Sequence, residues 1–303
     1  VDIEEVVGSS PASRTMKELK AIVVIYHANC RDGFGAAYAA WKKFGDEASY
    51  VPAKDHDVLP EGLNDKEIYI VDFNFSIPLL EQLAANNKSV MVIDHHISSK
   101  EATEHFPQNI FDNEHSGAVL AWQHFHPDTS VPELLLQVED HDLWKFELPD
   151  NREFNVALGQ YPVTFEAWDQ LIKDLKQPGA REELIKTGAT LAAFEDKIVD
   201  GIMKYRERIR FEGHELWAIN ASRTYRSILG NNLAALNEAD GGIAMGVVYY
   251  RYGGRVHISM RSKGAVDVSE IAVRYGGGGH KNAASIRVDS FTELPFEFIN
   301  TPT

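Results

Sequence analysis

One cysteine, Cys30, in 303 residues rules out an internal disulfide framework and points to a reducing compartment. No apolar run is long enough to cross a bilayer, and no charged-then-apolar leader opens the chain, so a cytoplasmic protein without a membrane partner is expected. Positive charge is scarce as well: 30 Lys+Arg stand against 45 Asp+Glu, a formal charge of -15. Long duplex nucleic acid needs a basic surface to displace its counterions and is excluded as a partner, whereas a small anion in a locally positive pocket is not. What is abundant is core material, 44% hydrophobic residues, enough for two domains of ordinary size.

Gly8, Ser9, Ser10, Pro11, Ala12 and Ser13 have linker composition ahead of Met16, and residues 1–15 are read as an appended leader. Beyond them the apolar residues come in short runs without helical period. Ala21–Tyr26 ends at His27, with Cys30 and Asp32 close behind; Ile68–Val71 ends at Asp72; Ser89–Ile93 ends in Asp94, His95 and His96. Continuous β-branched runs of this length read as strands buried on both faces, the mark of a mainly parallel sheet flanked by helices. In such α/β sheets the ligand crevice lies beyond the carboxyl ends of the strands, where these ionisable residues fall. The intervening segments carry helix signals: Phe34–Gly45 after Gly33, a start near Pro78, and Ser116 as N-cap for Gly117–Phe125.

Pro132 opens a further apolar helix or strand that runs into Asp140, His141 and Asp142, and Trp144 and Phe146 are expected to pack beneath that turn. Residues from Val163 to Arg210 read as helical and solvated, with Arg206–Arg210 as part of a helical connection. The reading is therefore a catalytic domain over 16–185, a helical linker over 186–212 and a smaller C-terminal α/β domain over 213–303. In the last of these, Leu216–Asn220, Gly242–Arg251 and Arg255–Ser262 read as strands, Ser227–Glu238 and Val268–Tyr275 as helices. Gly276, Gly277, Gly278, Gly279 and His280 form either a loose loop or a backbone anion nest.

Imidazoles and carboxylates without a thiolate cluster suit hard or borderline divalent ions, Mn²⁺ and Mg²⁺ ahead of Co²⁺, Zn²⁺ or Fe²⁺. Five ligand positions exceed one ion, and Asp72 is the candidate bridge between two that activate a water and clamp a phosphoryl oxygen. His96, beside a ligand histidine, is placed to stabilise developing charge on the phosphate.

His27-Ala-Asn-Cys-Arg-Asp32-Gly, Asp72, Asp94-His95-His96, Asp140 after an apolar run, and Gly276–Ala284 together resemble the DHH phosphoesterase superfamily with its C-terminal DHH-associated domain, in the nanoRNase-like, exopolyphosphatase-related branch. The resemblance covers about residues 20–290. It implies a two-ion Mn²⁺ site on the first domain with ligands His27, Asp32, Asp72, His95 and Asp140, Asp142 being the alternative to Asp140. It also implies catalytic roles for His96 and for Asp94, the latter orienting His95, and substrate binding by Arg261, Ser262, Gly277, Gly278, Gly279 and His280. The sequence departs from the pattern in one place: many members have Asp-x-Asp in the first motif, and here Cys30 stands where the first aspartate would be. Cys30 is either a thiolate ligand or a small buried hydrophobe, and the preference of Mn²⁺ for oxygen and nitrogen favours the second. The expected activity is hydrolysis of small phosphodiesters, short oligonucleotides or cyclic nucleotides. The alternatives are release of terminal phosphate from polyphosphate and a degenerate nucleotide-binding sensor; assembly as a homodimer is left open.

Overall fold

Residues 18–54, 56 and 58–299 are described by the computed structural model, His280 by its backbone alone. The expected leader over 1–15 lies outside them. Within that span the chain divides into two compact units at Ala192–Ala193.

In the N-terminal unit the β-branched runs do form strands: β1 (Ile22–His27), β2 (Ala48–Ala53), β3 (Glu67–Val71), β4 (Ser89–Asp94) and β5 (Asn109–Phe111). They build one sheet in the order β2-β1-β3-β4-β5, and every pairing is parallel. Helices cover both faces: α1 (Arg31–Phe44), α2 (Ile77–Asn86), α3 (Lys100–Glu104), α4 (Gly117–Phe125), α5 (Glu133–Asp142), α6 (Asn151–Leu158), α7 (Phe165–Asp174) and the first half of α8 (Ala180–Met203), which continues into the C-terminal unit. Val24, Val71 and Ile93 point into the core under α1, α4 and α5, while Val23, Ile25, Ile68, Ile70, Val90 and Val92 point into a second core with Leu80 and Leu83 of α2. Burial on both faces is why these strands are uninterrupted apolar runs rather than alternating ones.

From β1 the chain steps outward to β2 and then returns to place β3 on the other side of β1. Neighbouring connections therefore leave β1 and β3 in opposite directions, which opens a crevice at their carboxyl ends. His27 ends β1 and Asp72 follows β3 at that point.

The C-terminal unit holds a mostly antiparallel sheet of β6 (Glu207–Phe211), β7 (His214–Asn220), β8 (Met245–Tyr252), β9 (Arg255–Ser262), β10 (Gly278–His280), β11 (Ala283–Val288) and β12 (Glu297–Phe298), with helices α9 (Arg226–Ala239) and α10 (Val268–Arg274). Its one parallel pair is β7 with β8. The charged run from Arg206 to Arg210 was expected to extend the helical connection; helix α8 instead ends at Met203 and the run enters β6. The reason is its period of two, since Ile209 and Phe211 are buried while Arg210 between them faces water. The glycine run is neither a loose loop nor a nest throughout, because Gly278–His280 pairs antiparallel with β11. Side chains would not fit there: a Cβ on Gly277 or Gly279 would overlap the carbonyl oxygen of Ser285 or Ala283 in β11. Among the described residues no helix is long and apolar enough to cross a membrane.

Candidate metal centre

Three strand ends and three helix ends meet at the crevice. His27 closes β1, and Gly33 in the first turn of α1 lies so close that a Cβ there would overlap the His27 carbonyl oxygen. This contact folds α1 back over the strand end and brings Asp32 inward, 1% exposed. The Asp32 carboxylate accepts the backbone N–H groups of Gly117 (2.7 Å) and Ala118 (3.0 Å) at the start of α4, an anion placed where the helix dipole favours one. Gly117 has the same role as Gly33: a Cβ there would overlap that of Asp72. A second acid, Glu139 of α5, accepts the Ser116 N–H at 2.8 Å and pairs with His115 at 3.1 Å, so α4 is seated by two carboxylates. Neither glycine contact nor the Asp32 cap was read from the sequence; a small residue just after each motif was the available signal.

Asp72 sits at the centre. Its backbone φ of 53° is unusual for a non-glycine residue and turns the side chain back towards the crevice. One carboxylate oxygen faces His27 Nδ1 at 3.5 Å and the other faces His95 Nε2 at 3.1 Å. From His95 the same Nε2 lies 3.5 Å from Asp32 and 3.7 Å from Asp142. Three overlapping groups of potential ligand atoms result, His27 with Cys30 and Asp72, Asp72 with His95 and His96, and Asp32 with His95 and Asp142.

The donors fit a divalent cation. Among the described residues His27 Nδ1, both Asp72 carboxylate oxygens and His95 Nε2 are buried without a hydrogen-bond partner. Burying polar atoms so costs several kcal/mol in total unless a cation meets their lone pairs, at about 1–3 kcal/mol each. Burial, then the neighbouring Asp32, pushes the Asp72 carboxyl well above its ordinary range. Burial and then His96 hold His27 neutral down to about 4, its lone pair free for a metal. Partial enclosure and then Asp32 raise Asp142 to about 7. Carboxylates gathered at such a density, raised by burial and by one another, are the expected signature of a site that a cation completes.

Two expected roles change. Asp140 does not join the cluster, because its carboxylate accepts the N–H groups of Glu147 (2.9 Å) and Leu148 (3.3 Å) in the loop after α5; Asp142 is the carboxylate that reaches His95. Asp94 does not orient the His95 ring. It accepts from the His95 backbone N–H at 2.8 Å and from His96 Nδ1 at 2.7 Å, and Ser99 donates to its other oxygen. Burial opposes ionisation of Asp94, yet these hydrogen bonds outweigh it and hold the carboxyl below its usual range. The same pair holds His96 above its ordinary value against the effect of burial. Cys30 is the N-cap of α1 and lies in the group with His27 and Asp72, where burial and then Asp72 push its thiol well up. A neutral thiol is a poor ligand for an oxygen-preferring ion.

Trp144 and Phe146 do not pack beneath the turn. Both have left-handed backbone angles, φ 58° and 52°, and stand 53% and 43% exposed.

In the C-terminal unit, β11 lies between β10 and β9 and pairs Ala283 with Arg261. The Arg261 guanidinium donates to Ser227 Oγ at 3.0 Å and to the Met260 carbonyl at 2.9 Å, and burial with Arg226 nearby lowers its pKa to about 10. Ser262 is buried and donates to the carbonyls of Val266 (2.8 Å) and Lys281 (3.1 Å), so its hydroxyl supports the loop rather than a substrate. Gly277, Gly278 and Gly279 adjoin β11 as described, and the His280 side chain lies outside the described atoms.

The DHHA1 domain family matches residues 219–297. An uncharacterised protein of Acanthamoeba polyphaga mimivirus is 26% identical over 300 residues, covering 92% of this chain and 70% of that protein. Among solved structures, the DHH domain of a member of a ribosomal-protein family superposes with a TM-score of 0.56 at 14% identity, over 92% of this chain and 83% of that one. A pGpG-specific phosphodiesterase from Vibrio cholerae aligns at 16% identity and a TM-score of 0.48, over 89% of this chain and 93% of its own.

Proposed function

We infer that this chain, a member of the DHH superfamily with a DHHA1 domain over residues 219–297, is a metal-dependent hydrolase of small phosphodiesters such as short oligonucleotides or cyclic nucleotides. The observation that carries the reading is the convergence of His27, Asp32, Asp72, His95 and Asp142 with buried donor atoms left unpaired. Mn²⁺ is the first choice for that donor set, with Mg²⁺ or Co²⁺ after it, and two such ions would supply Lewis acidity to activate water and offset phosphoryl charge.

The chain's own residues have separable tasks. Asp72, with one oxygen towards His27 and the other towards His95, is arranged to be shared between two ligand groups. Asp32 is held by two N–H groups at the start of α4, which set the position of its carboxylate. Asp94 keeps a proton on His96, whose ring then presents positive charge to a phosphoryl oxygen. Arg261, with the glycine run at 277–279 and His280, is the substrate-holding group of the second unit. The chain as a whole is acidic, so the attraction for a phosphate is local to these groups.

The test is product analysis. Metal-stripped protein resupplied with Mn²⁺ is given a dinucleotide, a cyclic mononucleotide and polyphosphate, with Asp72→Asn as control. Metal-dependent loss of one of the nucleotides is expected; loss of polyphosphate alone would transfer the assignment to terminal phosphate release, and loss of nothing with metal bound would end the hydrolase reading.

A further inference from the structure

The loop after α5 holds two large aromatic side chains in water at a cost. Trp144 and Phe146 are 53% and 43% exposed, and each adopts a left-handed backbone angle that bulky residues rarely take. The loop is nevertheless firmly built. The carboxylate of Asp140 accepts from Glu147 and Leu148, the Asp140 carbonyl accepts from Lys145 at 3.0 Å, and the Lys145 ammonium donates to the Glu114 carbonyl at 2.9 Å. The two rings meet edge to face with centroids 4.7 Å apart, and His141 touches both, at 6.0 Å and 5.5 Å. This is a rigid exposed pair rather than a frayed loop. It starts two residues after Asp142, so the Cα atoms of Asp142 and Trp144 are at most ~7 Å apart, about the reach from a phosphate to the base of the same nucleotide.

We propose that Trp144 and Phe146 form a stacking platform for a nucleobase of the substrate beside the metal centre, which makes a nucleobase-bearing phosphodiester, not polyphosphate, the substrate class. This rests on the phosphodiesterase reading and narrows it. An aromatic face stacks on any base, so the platform selects for the presence of a base and tolerates its identity. Both residues hold left-handed backbone angles while their rings stand exposed.

The test compares two probes on the Mn²⁺-loaded chain of 303 residues: the 5′-phosphorylated dinucleotide pApA and an abasic dinucleotide with the same phosphates. Trp144→Asn keeps a residue that tolerates the left-handed angle, and Trp144→Phe keeps a ring. Trp144→Asn is expected to weaken pApA binding about 5- to 100-fold, leave the abasic probe within twofold, and leave metal stoichiometry unchanged; Trp144→Phe restores most of the loss. Equal effects on both probes, or no effect on either, would overturn the platform. Hydrolysis of the abasic probe by the wild-type protein is read separately: its presence with no base effect removes the platform and keeps the phosphodiesterase, while binding of pApA lost in Trp144→Asn without any hydrolysis keeps the platform and removes the enzyme.

Discussion

Replacing Asp72 with Asn keeps the shape of the side chain and removes its charge from the centre of the site. Asp72 is 1% exposed, its oxygens have no hydrogen-bond partner among the described residues, and Asp32 adds a second negative charge nearby. Without metal, burial first and Asp32 second keep a proton on this carboxyl well beyond its usual range. The unfolded chain loses that proton near pH ~4. Above that pH the folded state binds more protons than the unfolded one, so stability falls as pH rises, by ~1 kcal/mol per unit until the folded carboxyl ionises. Asn carries no such penalty, so the Tm of the variant should exceed that of the wild type by an amount that grows as the pH rises. Calorimetry of EDTA-treated wild type and Asp72→Asn at pH 5 and pH 7 should show the variant more stable at pH 7 and the gap narrower at pH 5. Mn²⁺ at 100 times its Kd should then stabilise the wild type by about 3 kcal/mol and the variant far less. A variant less stable than the wild type without metal, or one that Mn²⁺ stabilises equally, would refute the argument that Asp72 is a buried charge awaiting a cation.

Three further outcomes follow from the same geometry. Asp142→Asn should lower bound metal, measured by elemental analysis, while Asp140→Asn should keep the metal and destabilise the unit by about 1–2 kcal/mol through lost loop hydrogen bonds. Cys30→Ser should leave metal stoichiometry unchanged, and a clear fall would make the thiol a ligand. Asp169 resists the effect of its burial through hydrogen bonds from Lys173, Lys42 and Tyr38, which bring its carboxyl to about 2. That stabilisation is present above pH ~4 and is lost as pH falls towards 2, so the stabilities of wild type and Asp169→Asn from urea unfolding should differ by about 1–2 kcal/mol at pH 7 and draw together as the pH is lowered through 3.

The strands could be read directly because a parallel sheet covered on both faces demands unbroken apolar runs, and Ile22–His27, Glu67–Val71 and Ser89–Asp94 are such runs. Their endings in His27, Asp72 and His95 were legible for the same reason, since the ends of parallel strands share one edge of the sheet. The charged run at Arg206–Arg210 was misread because charge pattern outweighed its period of two, and the two buried residues Ile209 and Phe211 are what decide it as a strand.

The chain's linear order was thus enough to determine three strands of the parallel sheet, β1, β3 and β4, the helices α1, α2 and α4, and the donor types that gather at the strand ends, but not the short strands β2 and β5. It could not choose between Asp140 and Asp142. Two positions on a helix differ by ~200° around its axis, so the rotation set by packing Leu134, Leu135 and Val138 into the core decides which carboxylate faces His95. Nor could it show Asp94 turned to His96, or Trp144 and Phe146 turned to water. Those depend on which backbone N–H groups each carboxylate meets and on single left-handed residues, and such contacts exist only once distant segments have been brought together.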